Sequence, residues 1–188
     1  MSRFFRILKS AQSQYISALH NRPVITKAVT SGTLYFISDS ISQGIENFNR
    51  KDEDKQPFQW ARATRMAIFG FFITGPTFHY WYNILDTSFP KKNTRHIIIK
   101  SVLDQILCAP LFDAVFFTGL GLLEFKSWAE IKDKLKKDWL FTYLVDCSVW
   151  PIFNIFSFKY IPNSQRVTMM NLFNIAWTAF LANTNYSH

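Results

Sequence analysis

The sequence predicts an all-α membrane protein, a bundle of four to five transmembrane helices, several proline-broken, with amphipathic interfacial helices alongside. Three observations carry that expectation. First, proline recurs inside long apolar runs, at Gly75-Pro76, Ala109-Pro110 and Trp150-Pro151. A proline in a helix interior removes one backbone hydrogen bond and frees a carbonyl, that of Cys147 in the case of Pro151. In lipid such a carbonyl needs another partner, so Pro76, Pro110 and Pro151 are expected to break helices where they face protein or water. Second, aromatic residues reach 18%, with 20 Phe and 6 Trp. Third, only 18% of residues are charged, against about 25% in typical soluble domains. The mean hydropathy of +0.00 is low for a membrane protein, which implies helices with polar groups along one face.

Residues 1–188 form one multi-pass domain, with no linker dividing them. Residues 1–22 read as a basic amphipathic helix. Phe4, Leu8, Ala11, Tyr15 and Leu19 recur at helical spacing, and Arg3, Arg6 and Lys9 lie elsewhere on the wheel. The first acid is Asp39, so this N-terminus resembles a mitochondrial presequence. An uncleaved helix lying in the membrane interface fits the same pattern.

Four candidate spans follow, each near the roughly 20 residues that a hydrocarbon core requires. Val24 to Glu46 contains Lys27 and Asp39, whereas Met66 to Leu85 carries no formal charge and has Trp81 and Tyr82 as interfacial anchors. Ile97 to Leu123 carries Lys100, Asp104 and Asp113, and Trp139 to Phe158 carries only Asp146. A shorter apolar stretch, Val167 to Ala182, reads as a fifth span, a half-span or the return arm of a hairpin turning at Pro162. Residues 124–138 place Phe125, Trp128, Ile131 and Leu135 on one helical face, the pattern of a separate interfacial helix.

Charge at mid-bilayer costs roughly 2.5–3.5 kcal/mol on insertion scales, so the polar residues inside these spans need partners or water. Asp39, Gln43 and Glu46 share one helical face. Arg65, His79 and Asp86 are spaced by multiples of seven, and Asp146, Trp150, Asn154 and Ser157 form a third stripe. Asn171, Asn174 and Thr178 form a fourth. Such stripes either line a shared aqueous path or zip together as a dry bundle. Asp104 and Asp113 are nine residues apart, about opposite on an α-helix, so at most one is expected to face a common cavity.

Catalytic signals are absent from the sequence. His79 has no carboxylate at metal-ligand spacing, and no phosphate loop, nucleophile elbow or His-Glu-x-x-His motif occurs. Cys108 and Cys147 sit in apolar runs and read as two inert thiols. We therefore expect no enzyme activity, no cofactor and no metal. The net charge of +8 flanks apolar spans instead of clustering on one face, which argues against a nucleic-acid partner.

The block Trp150-Pro151, Asn154, Phe158, Pro162, Arg166 and Trp177 resembles that of the Mpv-seventeen / 22-kilodalton peroxisomal membrane protein family. Tyr15 to Pro23, Ser38-Asp39 with Gln43, and Arg62, Arg65, Gly70, Gly75-Pro76, His79, Trp81-Tyr82 and Leu85-Asp86 match its earlier blocks in order. Asp104-Gln105, Ala109-Pro110 and Gly119 match its third, so the resemblance spans roughly residues 15–182. Asn154, Ser157 and Ala182 depart from it, standing where the family usually has Gln, Asn and Ser. The resemblance implies a multi-pass protein of an organelle membrane, the mitochondrial inner membrane ahead of the peroxisomal membrane. It also implies a lipid bilayer as partner and, for some members, weakly selective passage of small solutes.

Two functional readings follow. One is a channel for small metabolites lined by Asp39, Gln43, Arg65, His79, Asp104, Asp146, Asn154 and Arg166, with acids and arginines paired when it is closed. The other is a non-conducting subunit that stabilises a homo-oligomer or a larger membrane complex, with residues 124–138 as the docking face.

Overall fold

The computed structural model describes residues 2–185, and among these there are six long helices and no strand. They are α1 (Ser2–Asn21), α2 (Pro23–Asn49), α3 (residues 60–88), α4 (Thr94–Leu123), α5 (Trp128–Tyr160) and α6 (Asn163–Asn185). A single 3-10 turn, Asp52–Asp54, interrupts the polar loop between α2 and α3. The side chains of Arg3, Phe4, Leu8 and Ala182 lie outside the described residues.

Three helices start where the sequence supplies a start signal. Pro23 opens α2, where its missing N–H costs nothing. The Asn93 side chain accepts from the His96 N–H at 2.9 Å and caps α4. Ser127 and Glu130 form a capping box on α5. Between α4 and α5 the chain reverses through a Schellman turn, in which the Lys126 N–H reaches the Gly121 carbonyl and the Phe125 N–H that of Leu122. Phe125 supplies the left-handed residue of that turn, with φ 56°, where glycine is usual.

Helices α2 to α6 form a closed ring, each packed on the next, with α6 returning to α2; α1 lies against α2 and α6. The tightest seam is α2 on α3, and glycine makes it. A Cβ at Gly70 would lie 2.7 Å from the Ser31 carbonyl oxygen, and one at Gly75 would lie 2.6 Å from the Ala28 Cα. These two residues flank a π turn, Gly70–Thr74, inside α3.

All three prolines are accommodated without breaking a helix, contrary to the expectation for Pro76, Pro110 and Pro151. Pro76 and Pro110 each follow a π turn, Gly70–Thr74 and Asp104–Cys108. In those turns the Gly75 N–H bonds to the Gly70 carbonyl, and the Ala109 N–H to that of Asp104. In that register Pro110 would donate to Gln105, and the freed Gln105 carbonyl instead accepts from the Tyr143 hydroxyl at 3.2 Å. Around Pro151 the helix stays α throughout.

Residues 124–138 are likewise not a separate interfacial helix. From Trp128 onward they are the first turns of the 33-residue α5, which at 1.5 Å per residue is about 50 Å long. That exceeds the thickness of a hydrocarbon core, about 30 Å. The stretch from Val167 is part of a 23-residue helix that begins at Asn163, directly after the chain turns at Ile161-Pro162.

Two helices, Thr94–Leu123 and Trp128–Tyr160, are long and apolar enough to cross a membrane by length and composition. Their large apolar side chains point outward, among them Leu111, Phe141 and Ile152, each at least two-thirds exposed. Lys27, Asp39, Lys100, Asp104, Asp113, Asn154 and Arg166 are buried instead, beside an apolar core that includes Phe78, Tyr82, Ile97 and Phe158. Along the two apolar helices the outward face is apolar, while charged, polar and apolar side chains share the inward one.

Candidate functional site

Three polar assemblies lie along the ring. At the end closed by the α2–α3 loop, the Arg62 Nε meets Asp39 at 2.8 Å, and its two terminal nitrogens grip the Glu46 carboxylate at 2.9 and 2.8 Å. Gln43 donates to Asp39 at 2.7 Å and accepts the Gln59 N–H at 2.7 Å, tying the loop to α2. The stripe of α2 is thus a bidentate cation clamp.

At the opposite end, Asp86 near the C-terminus of α3 gathers Lys100 of α4 at 2.5 Å, and Asn163 and Arg166 of α6 at 2.9 and 3.0 Å. The Arg166 guanidinium also lies over the rings of Phe158 and Tyr82, 4.7 and 5.4 Å from their centroids. Beside this cluster the Lys27 Nζ is 3.2 Å from the His79 Nδ1, and Asn83 contacts the other ring nitrogen. His79 is therefore a hydrogen-bonded packing residue.

Between the two clusters sits a cavity of about 210 Å³, walled by all five ring helices. Its charged lining residues are Asp104, Asp113 and Asp146, and among the described residues no Lys, Arg or His lines it. Asp104 is held rigidly, accepting the Trp81 indole N–H at 2.7 Å and the Asn154 amide at 2.6 Å. Asp113 and Asp146 face each other at hydrogen-bonding range. The rest of the wall is mainly aromatic and apolar, with Phe78, Phe112, Phe116 and Trp150 among it.

The structure corrects four expectations. Arg65 is half-buried and makes no hydrogen bond or ion pair with a described residue; Arg62, one turn earlier, takes the acids of α2. Arg65 is turned away from His79 and Asp86, because the π turn at Gly70–Thr74 inserts a residue and rotates everything beyond it by roughly 100°; His79 and Asp86, both beyond it, keep their shared face. The same effect places Asp104 and Asp113 on one cavity. The π turn Asp104–Cys108 reduces their offset from roughly 180° to roughly 80°. Asp146 faces a second carboxyl and not an arginine, so acid–arginine pairing holds only at the two ends. The α5 stripe keeps its register, and Asp146, Trp150 and Asn154 all line the cavity.

Arg62, Lys27, Lys100, Asp86, Asn163 and Asp113 complete these assemblies and were not singled out as site residues. A cation one turn from Arg65 and an acid terminating the same helix were the available signals for Arg62 and Asp86. No sequence pattern announces the π turn that admits Asp113.

A helical ring with an apolar exterior and a charged interior is the build of an integral membrane protein. The chain belongs to the Mpv17 / PMP22 family, whose model matches residues 121–182. It is 56% identical over 188 residues to PXMP2/4 family protein 4 of Dictyostelium discoideum, covering 100% of both chains. It is 33% identical over 174 residues to Peroxisomal membrane protein 2 of Bos taurus, covering 93% of this chain and 89% of that one. With Peroxisomal membrane protein PMP22 of Arabidopsis thaliana the identity is 29% over 175 residues, 92% and 88% of the two chains. No solved structure matches.

Proposed function

We propose that this chain is a multi-pass organelle membrane protein, without catalytic activity, that forms a weakly selective channel for small metabolites. All five ring helices cross the bilayer, and the cavity between them is the narrow part of the path. The carrying observation is that cavity: three carboxyl side chains from two helices line a space that all five helices enclose, with no cation among the described residues of its wall. Carboxylates in a membrane interior are supported by water. The Arg62 and Asp86 clusters close the two ends, and separating either ion-pair set opens a route.

One observation favours the alternative of a non-conducting structural subunit: the polar groups at both ends are already paired, as in a dry bundle. Swelling of proteoliposomes decides between them. The channel reading predicts that vesicles containing purified protein swell in isotonic glycerol and stay shrunken in dextran. The structural reading predicts no difference from protein-free vesicles.

The basic N-terminus with Arg6 and Lys9 exposed favours mitochondrial import, whereas the names of two relatives favour the peroxisomal membrane.

A further inference from the structure

At each end of the ring every buried acid has a cation, but among the described residues Asp113 has only Asp146, and Asp146 has Asp113 and the Trp150 side chain. Asp113 is 7% exposed, lines the cavity, and its Oδ2 has no hydrogen-bond partner. Two carboxyl groups in contact do not both ionise unless a positive charge lies between or beside them. Asp104, the third acid, has one donor on each oxygen and is less available.

The neighbouring wall specifies what kind of charge fits. Phe112 and Phe116 on α4 and Trp150 on α5 line the same space, and aromatic faces attract ammonium groups and accept alkyl chains. Hard divalent ions instead demand six or more oxygen ligands, or octahedral sets rich in water, which a wall of rings does not supply. Among the described residues no cluster of three potential metal ligands occurs. At about 210 Å³ the cavity holds several waters, or one small amine in their place.

We propose that this cavity binds a small organic cation, a primary or quaternary ammonium compound, with its nitrogen at the Asp113 and Asp146 carboxyls and its carbon atoms against Phe112, Phe116 and Trp150. The inference rests on the cavity being wet, as in the channel reading, and names the solute class it selects. A shared proton is the competing occupant of the carboxyl pair, and it would confer no preference for ammonium compounds.

Isothermal titration of the purified full chain in detergent tests this with n-butylammonium, tetramethylammonium, n-butanol and butyrate. Both ammonium ions should bind, with n-butanol and butyrate at least tenfold weaker. Asp113→Asn should weaken n-butylammonium binding at least tenfold, and Asp104→Asn should weaken it less. If Asp113→Asn does not fold, the four-ligand series on the unaltered chain decides alone. Equal binding of n-butylammonium and n-butanol, binding of none of the four, or unchanged binding by folded Asp113→Asn would overturn the proposal. Glycerol-driven swelling without ammonium binding refutes this inference and leaves the channel standing. Ammonium binding without swelling does the reverse.

Discussion

Asp86 is the residue on which the charged end of the ring depends, and replacing it gives the sharpest test of that packing. Its carboxylate faces Lys100 and Arg166, whose side chains are 4% and 2% exposed, while Asp86 itself is 28% exposed. Asp86→Asn keeps the volume and leaves two buried cations facing an amide. Removing one partner of a buried ion pair costs roughly 3–5 kcal/mol, because the remaining charge stays desolvated. Partial water access and the one hydrogen bond that an Asn oxygen still accepts place the expected loss near the lower end, at about 3 kcal/mol. For 150–250 residues each kcal/mol lowers Tm by about 2–4 °C, so melting in detergent should fall by roughly 6–12 °C. Asp138→Asn is the control: its partner Lys134 is an exposed i, i+4 neighbour, and the expected shift is about 1–2 °C. Adding Lys100→Met to Asp86→Asn should recover part of the loss, since one stranded cation disappears. Equal melting of Asp86→Asn and Asp138→Asn would refute the burial argument and imply that water enters the cluster freely.

Three further outcomes follow from other parts of the fold. Gly75→Ala should lower expression and Tm, because its Cβ meets Ala28 backbone at 2.6 Å, an overpacking cost of about 1–3 kcal/mol; Gly44→Ala, with nothing within 4 Å, should be neutral or stabilising. Phe125→Gly should raise Tm in detergent, since it relieves a left-handed φ of 56° at a side chain that is 94% exposed, worth about 1 kcal/mol. Replacing Arg3, Arg6 and Lys9 with Glu should exclude a fluorescent fusion from mitochondria if α1 is an import signal, and unchanged location under microscopy would point to another address.

The all-helical class was legible because apolar runs and their caps are local properties. So were the α5 stripe Asp146, Trp150 and Asn154 and the α6 pair Asn174 and Thr178, which hold a plain 3.6-residue register and meet at the cavity. What defeated the pattern was the π turn. Pro76 and Pro110 signal a disturbed helix, but whether the chain breaks or absorbs an extra residue depends on tertiary partners, here the Tyr143 hydroxyl on the Gln105 carbonyl. The residue inserted at Asp104–Cys108 brought Asp113 onto the cavity, and the one inserted at Gly70–Thr74 separated Arg65 from His79. Partner choice was also illegible, since Arg62 and Arg65 both lie one turn apart on α3 and only the packing of α2 selects between them.

The central claim is that the acidic cavity is a wet, conducting element, and planar-bilayer recording under a salt gradient tests it most directly. The account predicts discrete conductance steps with a reversal potential on the cation-preferring side, because three carboxyl side chains and, among the described residues, no cation line the narrow region. Asp146→Asn should keep the protein folded, since it removes a like-charge neighbour of Asp113 and strands no arginine, and should move the reversal potential toward zero. Absence of steps from folded, reconstituted protein would contradict the account, and so would steps whose selectivity Asp146→Asn leaves unchanged.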